Sequence, residues 1–239
     1  MPTLKSSLAA LRHELRGASS PAQAKIARWF FKTGKGDYGA GDQFIGIRVP
    51  VLRSIAKRYR GLPLSDAVRL LVSPIHEYRM VSLYIMIQQY ERGDATQKKK
   101  INRMYLRHRR SINNWDLVDT TAPNIIGAYL LDRPRAILYR LARSKNLWDR
   151  RIAILATYTF IRQGDFTDTL KLATLLLRDQ HDLMHKAVGW MLREVGNRNR
   201  SIEERFLKKN YQAMPRTMLR YAIEKFPEHR RQQYLSGTI

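Results

Sequence analysis

Apolar residues recur along nearly the whole chain at i, i+3 and i+4, with Leu, Ile and Ala forming a stripe and charged residues filling the gaps. That period predicts helices over about 3–16, 21–33, 49–60, 64–73, 75–92, 95–110 and 114–131. It predicts further ones over about 134–143, 147–163, 166–178, 182–196, 200–211, 215–225 and 228–235. Ser20 and Pro21, like Asp165, stand where helices should start, and Gly93 and Gly164 where they should stop. No segment sustains the two-residue alternation of a half-buried strand. The chain reads as all-α.

The helices also recur in pairs. Segments 79–83, 119–123, 151–155, 186–190 and 220–224 each open on a charged residue followed by small and apolar ones. Their heads, Arg79, Asp119, Arg151, Lys186 and Arg220, lie 40, 32, 35 and 34 positions apart. Such a spacing suits stacked helical hairpins of the HEAT or armadillo type, an α-solenoid whose neighbours share one core. The expected organisation is a single domain over 1–239, with N-terminal helices over about 1–73 and repeats over about 74–235. Equivalent heads would line one concave, basic wall of the superhelix. Four of the five heads are cationic and the fifth is Asp119. A carboxylate on such a wall repels phosphates, which suggests a compensating task. The plainer reading pairs Asp119 with Arg150 or Arg151, or has it satisfy a helix-start amide. Both readings stand at this point.

Composition sharpens the partner. The 239 residues carry 44 Lys+Arg against 20 Asp+Glu, a formal charge of +24, which an anionic partner would offset. Nucleic acid comes first, because phosphate neutralisation dominates its affinity. The absence of cysteine excludes disulfides, thiolate metal sites and a Cys nucleophile. Arg12, His13, Glu14 and Arg16 follow Leu8–Leu11 too closely for a signal-peptide core. No apolar run approaches the roughly 20 residues that span a bilayer. A soluble, cytoplasmic protein is expected, nucleoid-associated if bacterial, without membrane contact.

Candidate chemistry centres on Trp115 and Asp119, four apart and so on one helical face. A basic run from Lys98 to Arg110 lies just upstream, and Trp190 stands four residues after Lys186. Trp29 and Trp148 sit in apolar surroundings and read as core. Gly34, Gly36 and Gly39 match G-x-G-x-x-G, but a helix rather than a strand precedes them. The segment therefore reads as a flexible loop, whose neighbours Lys32, Lys35 and Arg48 could touch a phosphate backbone. His181 and His185 have helical metal-ligand spacing but no third ligand, and His13, His76, His108 and His229 form no pattern with them. No metal, cofactor or nucleophile elbow is indicated.

Residues 114–119 (Asn-Trp-Asp-Leu-Val-Asp), 148–154 and 186–194, together with 46–50, resemble the AlkD family of HEAT-like-repeat DNA glycosylases. The likeness runs from about residue 4 to 225 in the same order and spacing. The resemblance implies an α-solenoid that cups duplex DNA and removes cationic N3- and N7-alkylated purines without a deep base-flipping pocket. It puts the catalytic carboxylate on Asp119, the cleft indoles on Trp115 and Trp190, and a backbone-binding arginine on Arg151. Lys186, Arg79, Arg220, Arg48 and Arg110 complete the expected DNA contacts of a monomer that needs no cofactor. Lys186 could instead be imagined as a Schiff-base nucleophile, though a phosphate contact suits a cationic wall better. The chief alternative is a non-catalytic HEAT-like protein that binds distorted DNA or structured RNA. A protein–protein scaffold would leave the charge unexplained.

Overall fold

A computed structural model describes residues 7–239, so the expected helix start near residue 3 lies outside the described residues. Among them the chain forms α1 (Leu8–Gly17), α2 (Pro21–Phe30), α3 (Val49–Arg58), α4 (Leu64–Leu71), α5 (His76–Arg92), α6 (Ala95–Arg107) and α7 (Trp115–Thr121). There follow α8 (Ala136–Ala142), α9 (Leu147–Arg162), α10 (Thr167–Leu176), α11 (Asp182–Gly196), α12 (Arg200–Asn210), α13 (Arg216–Ala222) and α14 (Glu228–Ser236). No strand occurs among the described residues; a lone bridge joins Gln43 and Ile75. None of these helices is long and apolar enough to cross a membrane. The all-α expectation holds.

Local chemistry explains the boundaries. Ser20 caps α2 by accepting from the Gln23 amide, with Pro21 at the first helical position. Asp94, Asn146 and Asn199 cap α6, α9 and α12 in the same way. The expected helix over 114–131 departs from the α form at Ala122–Gly127, which is π-helical. Pro123 lies four residues after Asp119 and has no N–H to give its carbonyl, so the ladder must widen or break there. Thr159 donates to the Pro123 carbonyl at 2.6 Å.

The chain divides into two compact units, one ending at Leu117 and one running from Val118 to Ile239. In the first, α5 is the hub against which α3, α4 and α6 pack. Thirteen of its seventeen residues are buried, and so it lacks a polar stripe. The loop before α3 has two parts. Residues 34–41 are turns, but the Glu77 carboxylate accepts from the amides of Ile45 (3.1 Å), Gly46 (2.7 Å) and Ile47 (3.4 Å). Gly46 has φ +81, and a Cβ there would meet the backbone of Ser20 and Ala24. Beyond the Gly34–Gly39 segment, three amides on one buried carboxylate fix residues 45–47.

In the second unit the π segment, α9, α11 and α13 pack in series, each on the next, with α8, α10 and α12 alongside. This two-layer stacking is what the hairpin period anticipated. Close approach needs small residues: a Cβ on Gly127 would strike the Ala156 carbonyl, and one on Gly189 the Met218 carbonyl. Gly196, ending α11, makes room for Glu203 of α12, which is 1% exposed and has one oxygen without a hydrogen-bond partner. Burial pushes the Glu203 carboxyl up to about 8, against an opposing pull from Arg200.

A raised carboxyl pKa means the folded state holds the proton more tightly. The stability that Glu203 contributes should therefore be greatest below about 4.5, fall as pH rises from there to about 8, and level off above. Glu203→Gln should match the native chain at low pH and exceed it by on the order of 2–4 kcal/mol above that window. Denaturant titrations across the range check this, and parallel curves for the two proteins would show that Glu203 does not titrate there.

Candidate active site

The repeat register places its heads consistently. Asp119, Arg151, Lys186 and Arg220 are each the fifth residue of their helix, α7, α9, α11 and α13, and Arg79 is the fourth of α5. What the heads do differs from a uniform phosphate-facing wall.

In the second unit, α9 presents Arg151 to Asp119. Arg151 Nε donates to one Asp119 oxygen at 2.7 Å and Nη2 to the other at 2.8 Å, a two-point fork. Its Nη1 donates to the Leu183 carbonyl in the first turn of α11. The Arg151 side chain is 5% exposed and that of Asp119 16%. One edge of the carboxylate is therefore fixed while part of it still meets solvent. Of the two pairings open in the sequence, Arg151 takes Asp119, and Arg150 takes Asp179 at 2.6 Å. The phosphate clamp expected of Arg151 is corrected: burial and three internal hydrogen bonds make it the holder of Asp119.

Trp190, on α11, lies 6.1 Å from the Tyr158 ring and donates its indole N–H to Glu194 at 3.2 Å. Lys186 reaches Asp182 at 2.8 Å in a solvent-exposed pair, which costs little to exchange for a phosphate. Arg220 is exposed.

The first unit holds Trp115, Arg79, Arg48 and Arg110. Arg48 is exposed at the start of α3, and Arg110 is exposed in the 3-10 turn after α6. Arg79 is corrected. It is 4% exposed and its guanidinium lies 2.7 Å from Asp42, so it cannot reach a phosphate. Trp115 stacks on Phe31, ring centres 5.4 Å apart, and meets Phe30 edge-on at 5.9 Å. Trp148 is buried as expected, but Trp29 is 82% exposed, the opposite of a core indole. Its flanking Lys25, Arg28 and Lys32 are exposed as well. The apolar context that suggested burial belongs to a short helix whose only buried residue is Ala24.

Sequence reasoning missed a buried polar cluster. His76 packs beside the stacked rings of Phe31 (4.9 Å) and Phe44 (4.7 Å), with Nδ1 3.3 Å from Asp42 and Nε2 2.8 Å from Asp116. Asn114 donates to Asp42 at 3.1 Å across 72 residues of sequence. No spacing rule spans such a gap; Asp42 in a glycine-rich stretch was the available signal. His181 caps α11 through the Leu183 amide, and His185 bonds the Asp179 carbonyl. No group of three metal-capable side chains occurs among the described residues.

The sequence profile of a family described as "DNA alkylation repair enzyme" matches residues 11–226. A solved structure described as a predicted DNA alkylation repair enzyme from Enterococcus faecalis is similar in fold, with a TM-score of 0.70 and 17% identity. The match covers 88% of this chain and 97% of that one. No curated protein matches the chain.

Replacing Arg151 with Ala should leave Asp119 without its fork and destabilise the second unit by about 2–4 kcal/mol. Arg151→Lys should recover only part of that, because an ammonium cannot supply two parallel bonds. Denaturant unfolding of the three proteins checks the order, and an Ala variant as stable as the native chain would deny the fork a structural role.

Proposed function

The chain belongs to the DNA alkylation repair enzyme family, and on that footing we propose that it is a monofunctional glycosylase that releases cationic N3- or N7-alkylpurines from duplex DNA. The observation that carries the reading is Asp119: a carboxylate fixed on one edge and partly open to solvent, in a chain of net charge +24.

An alkylated purine already bears positive charge, so it departs with the C1′–N bond electrons and needs no enzymatic acid. The charge then develops on the sugar as the bond lengthens. A carboxylate held in place stabilises that oxocarbenium character without having to reorganise. Water adds to C1′, its oxygen forming the new bond, and gives up a proton to Asp119 or solvent. Trp190 supplies a π face that favours a cationic sugar by about 0.5–2 kcal/mol, and the resemblance gives Trp115 the same role. Neutral lesions keep poor leaving groups, and a site without a strong acid leaves them in place.

Duplex capture draws on cationic surface outside the buried pairs. On α6 the inward face is Ile101, Asn102 and Tyr105, while Lys99, Lys100, Arg103 and Arg107 are exposed. Residues 99, 103 and 107 repeat every four positions, a rise of about 6 Å that suits successive phosphates. Exposed Trp29 amid Lys25, Arg28 and Lys32 offers a stacking surface of similar character.

A second reading, a non-catalytic binder of distorted DNA or structured RNA, draws on the same fork, since a carboxylate engaged by Arg151 also suits a purely structural pair. Incubating the protein in excess with duplex containing 7-methylguanine separates the two. The first reading expects free 7-methylguanine, and background-level release overturns it. Asp119→Asn should lower excision about 10²–10³-fold while duplex affinity holds or rises slightly. Excision near the native rate would remove Asp119 from the chemistry. Replacing Lys99, Arg103 and Arg107 together with Gln should flatten the dependence of log K on log salt by about 2–3 units. An unchanged slope would take α6 out of the phosphate contacts.

A further inference from the structure

Both ring nitrogens of His76 face carboxylates: Nδ1 faces Asp42 Oδ2 at 3.3 Å, and Nε2 faces Asp116 Oδ2 at 2.8 Å. A neutral imidazole has one N–H and one lone pair: with the proton on Nε2, the Nδ1 lone pair would face Asp42 Oδ2 at 3.3 Å beside Arg79 Nη2 at 3.4 Å, and with it on Nδ1, the Nε2 lone pair would face Asp116 at 2.8 Å. Only the imidazolium donates to both. The charge balance agrees, for Asp42, Asp116, His76 and Arg79 then sum to zero in a pocket where His76, Asp42 and Arg79 are each under 10% exposed. Removing the imidazole proton would leave an uncompensated buried negative charge, which is strongly unfavourable.

The cluster grips Trp115 from both sides. Asn114, fully buried, donates to Asp42 and accepts from the Trp115 amide at 2.8 Å. Asp116, held by His76, accepts from the Leu117 amide at 2.8 Å. The indole itself lies against Phe31, whose ring is also packed on His76. The backbone at the start of α7 and one face of the indole thus both lead back to one imidazole ring.

We infer that His76, held as an imidazolium between Asp42 and Asp116, is the positioning residue that fixes Trp115, and that loss of its proton loosens the indole. Any consequence for excision rests on the function proposed above; the loosening itself does not. The charged groups facing His76 are Asp42 from the loop, Asp116 from α7, and Arg79 on its own helix, whose Nη2 lies 3.4 Å from Nδ1. Glu77 and Arg48 line the same small cavity, Glu77 being engaged by the amides of 45–47. Burial pulls the His76 pKa down, but the hydrogen bonds to Asp116 and Asp42 outweigh it, and the value rises to about 9 despite Arg79. With the folded value raised above 6.5, the stabilisation is complete below that pH and is lost as pH climbs through about 9.

The test is indole emission of the whole protein from about pH 7 to 10, with the Trp115→Phe variant subtracted to isolate Trp115. The inference expects the Trp115 component to change with a midpoint near 9, and expects His76→Gln to show the high-pH spectrum already at neutral pH. A Trp115 component that stays flat over the range, or a folded His76→Gln protein with the native neutral spectrum, overturns it. Should that variant fail to fold, NMR of nitrogen-15-labelled histidine in the native protein decides: two protonated ring nitrogens on His76 at neutral pH support the inference, and a single one overturns it. In an excision assay His76→Gln should lower kcat more than it raises KM, and Arg or Lys variants of α6 should do the reverse. If nothing is excised, the proposed function fails while emission and ring protonation still judge His76.

Discussion

A guanidinium gripping both oxygens of a carboxylate organises the second unit. Arg151 joins three helices at once: its own α9, α7 through Asp119, and α11 through the Leu183 carbonyl. Desolvating two ions costs about as much as their attraction returns, so such a pair is a poor way to gain stability compared with leucine and isoleucine. What it provides is definition. A leucine at position 119 could settle into several packings, whereas the fork has one geometry. Placing the carboxylate at the end of so rigid a support makes sense if its position matters more than its energy.

The first unit solves a related problem with different parts. Its register-equivalent head, Arg79, is also buried and also paired with an aspartate, but that aspartate comes from the loop before α3 rather than from a neighbouring head. The charge left over is shared with His76 and Asp116, and the result is a neutral cluster packed around aromatic rings. Toward the C-terminus the heads change character: Lys186 and Arg220 reach solvent. One repeat position therefore serves three ends: a structural pair, a held carboxylate and exposed cations.

That division explains what could be read from the chain. Helices are written in short-range periodicity, and α9, α11, α12 and α14 end within about two residues of the expected limits. The register of the heads was also legible, because hairpin length fixes it. Partners were not. Asp42 finds Asn114 across 72 residues, and nothing in the spacing of His76 announces Asp116. Trp29 misleads because its apolar neighbours read as a core, whereas its helix is short and exposed on most sides. The π segment was foreshadowed by Pro123, four residues past Asp119, since a missing N–H four along leaves a carbonyl without its usual donor.

The distribution of charge ties these observations together. Arg79 and Arg151 lie inside and are matched by carboxylates, so the net +24 resides in the exposed lysines and arginines. In the proposed function, attraction for a polyanion and control of a single carboxylate thus fall to different residues. Salt screens exposed charges strongly and buried pairs weakly, so ionic strength acts on the exposed cations while leaving the grip on Asp119 nearly untouched. Under the proposed function, a surface that tolerates any sequence of phosphates need not be precise, but a carboxylate that meets one sugar must be. The chain places its disorder-tolerant charges outside and its geometrically exacting ones in low-dielectric surroundings, where each hydrogen bond constrains most.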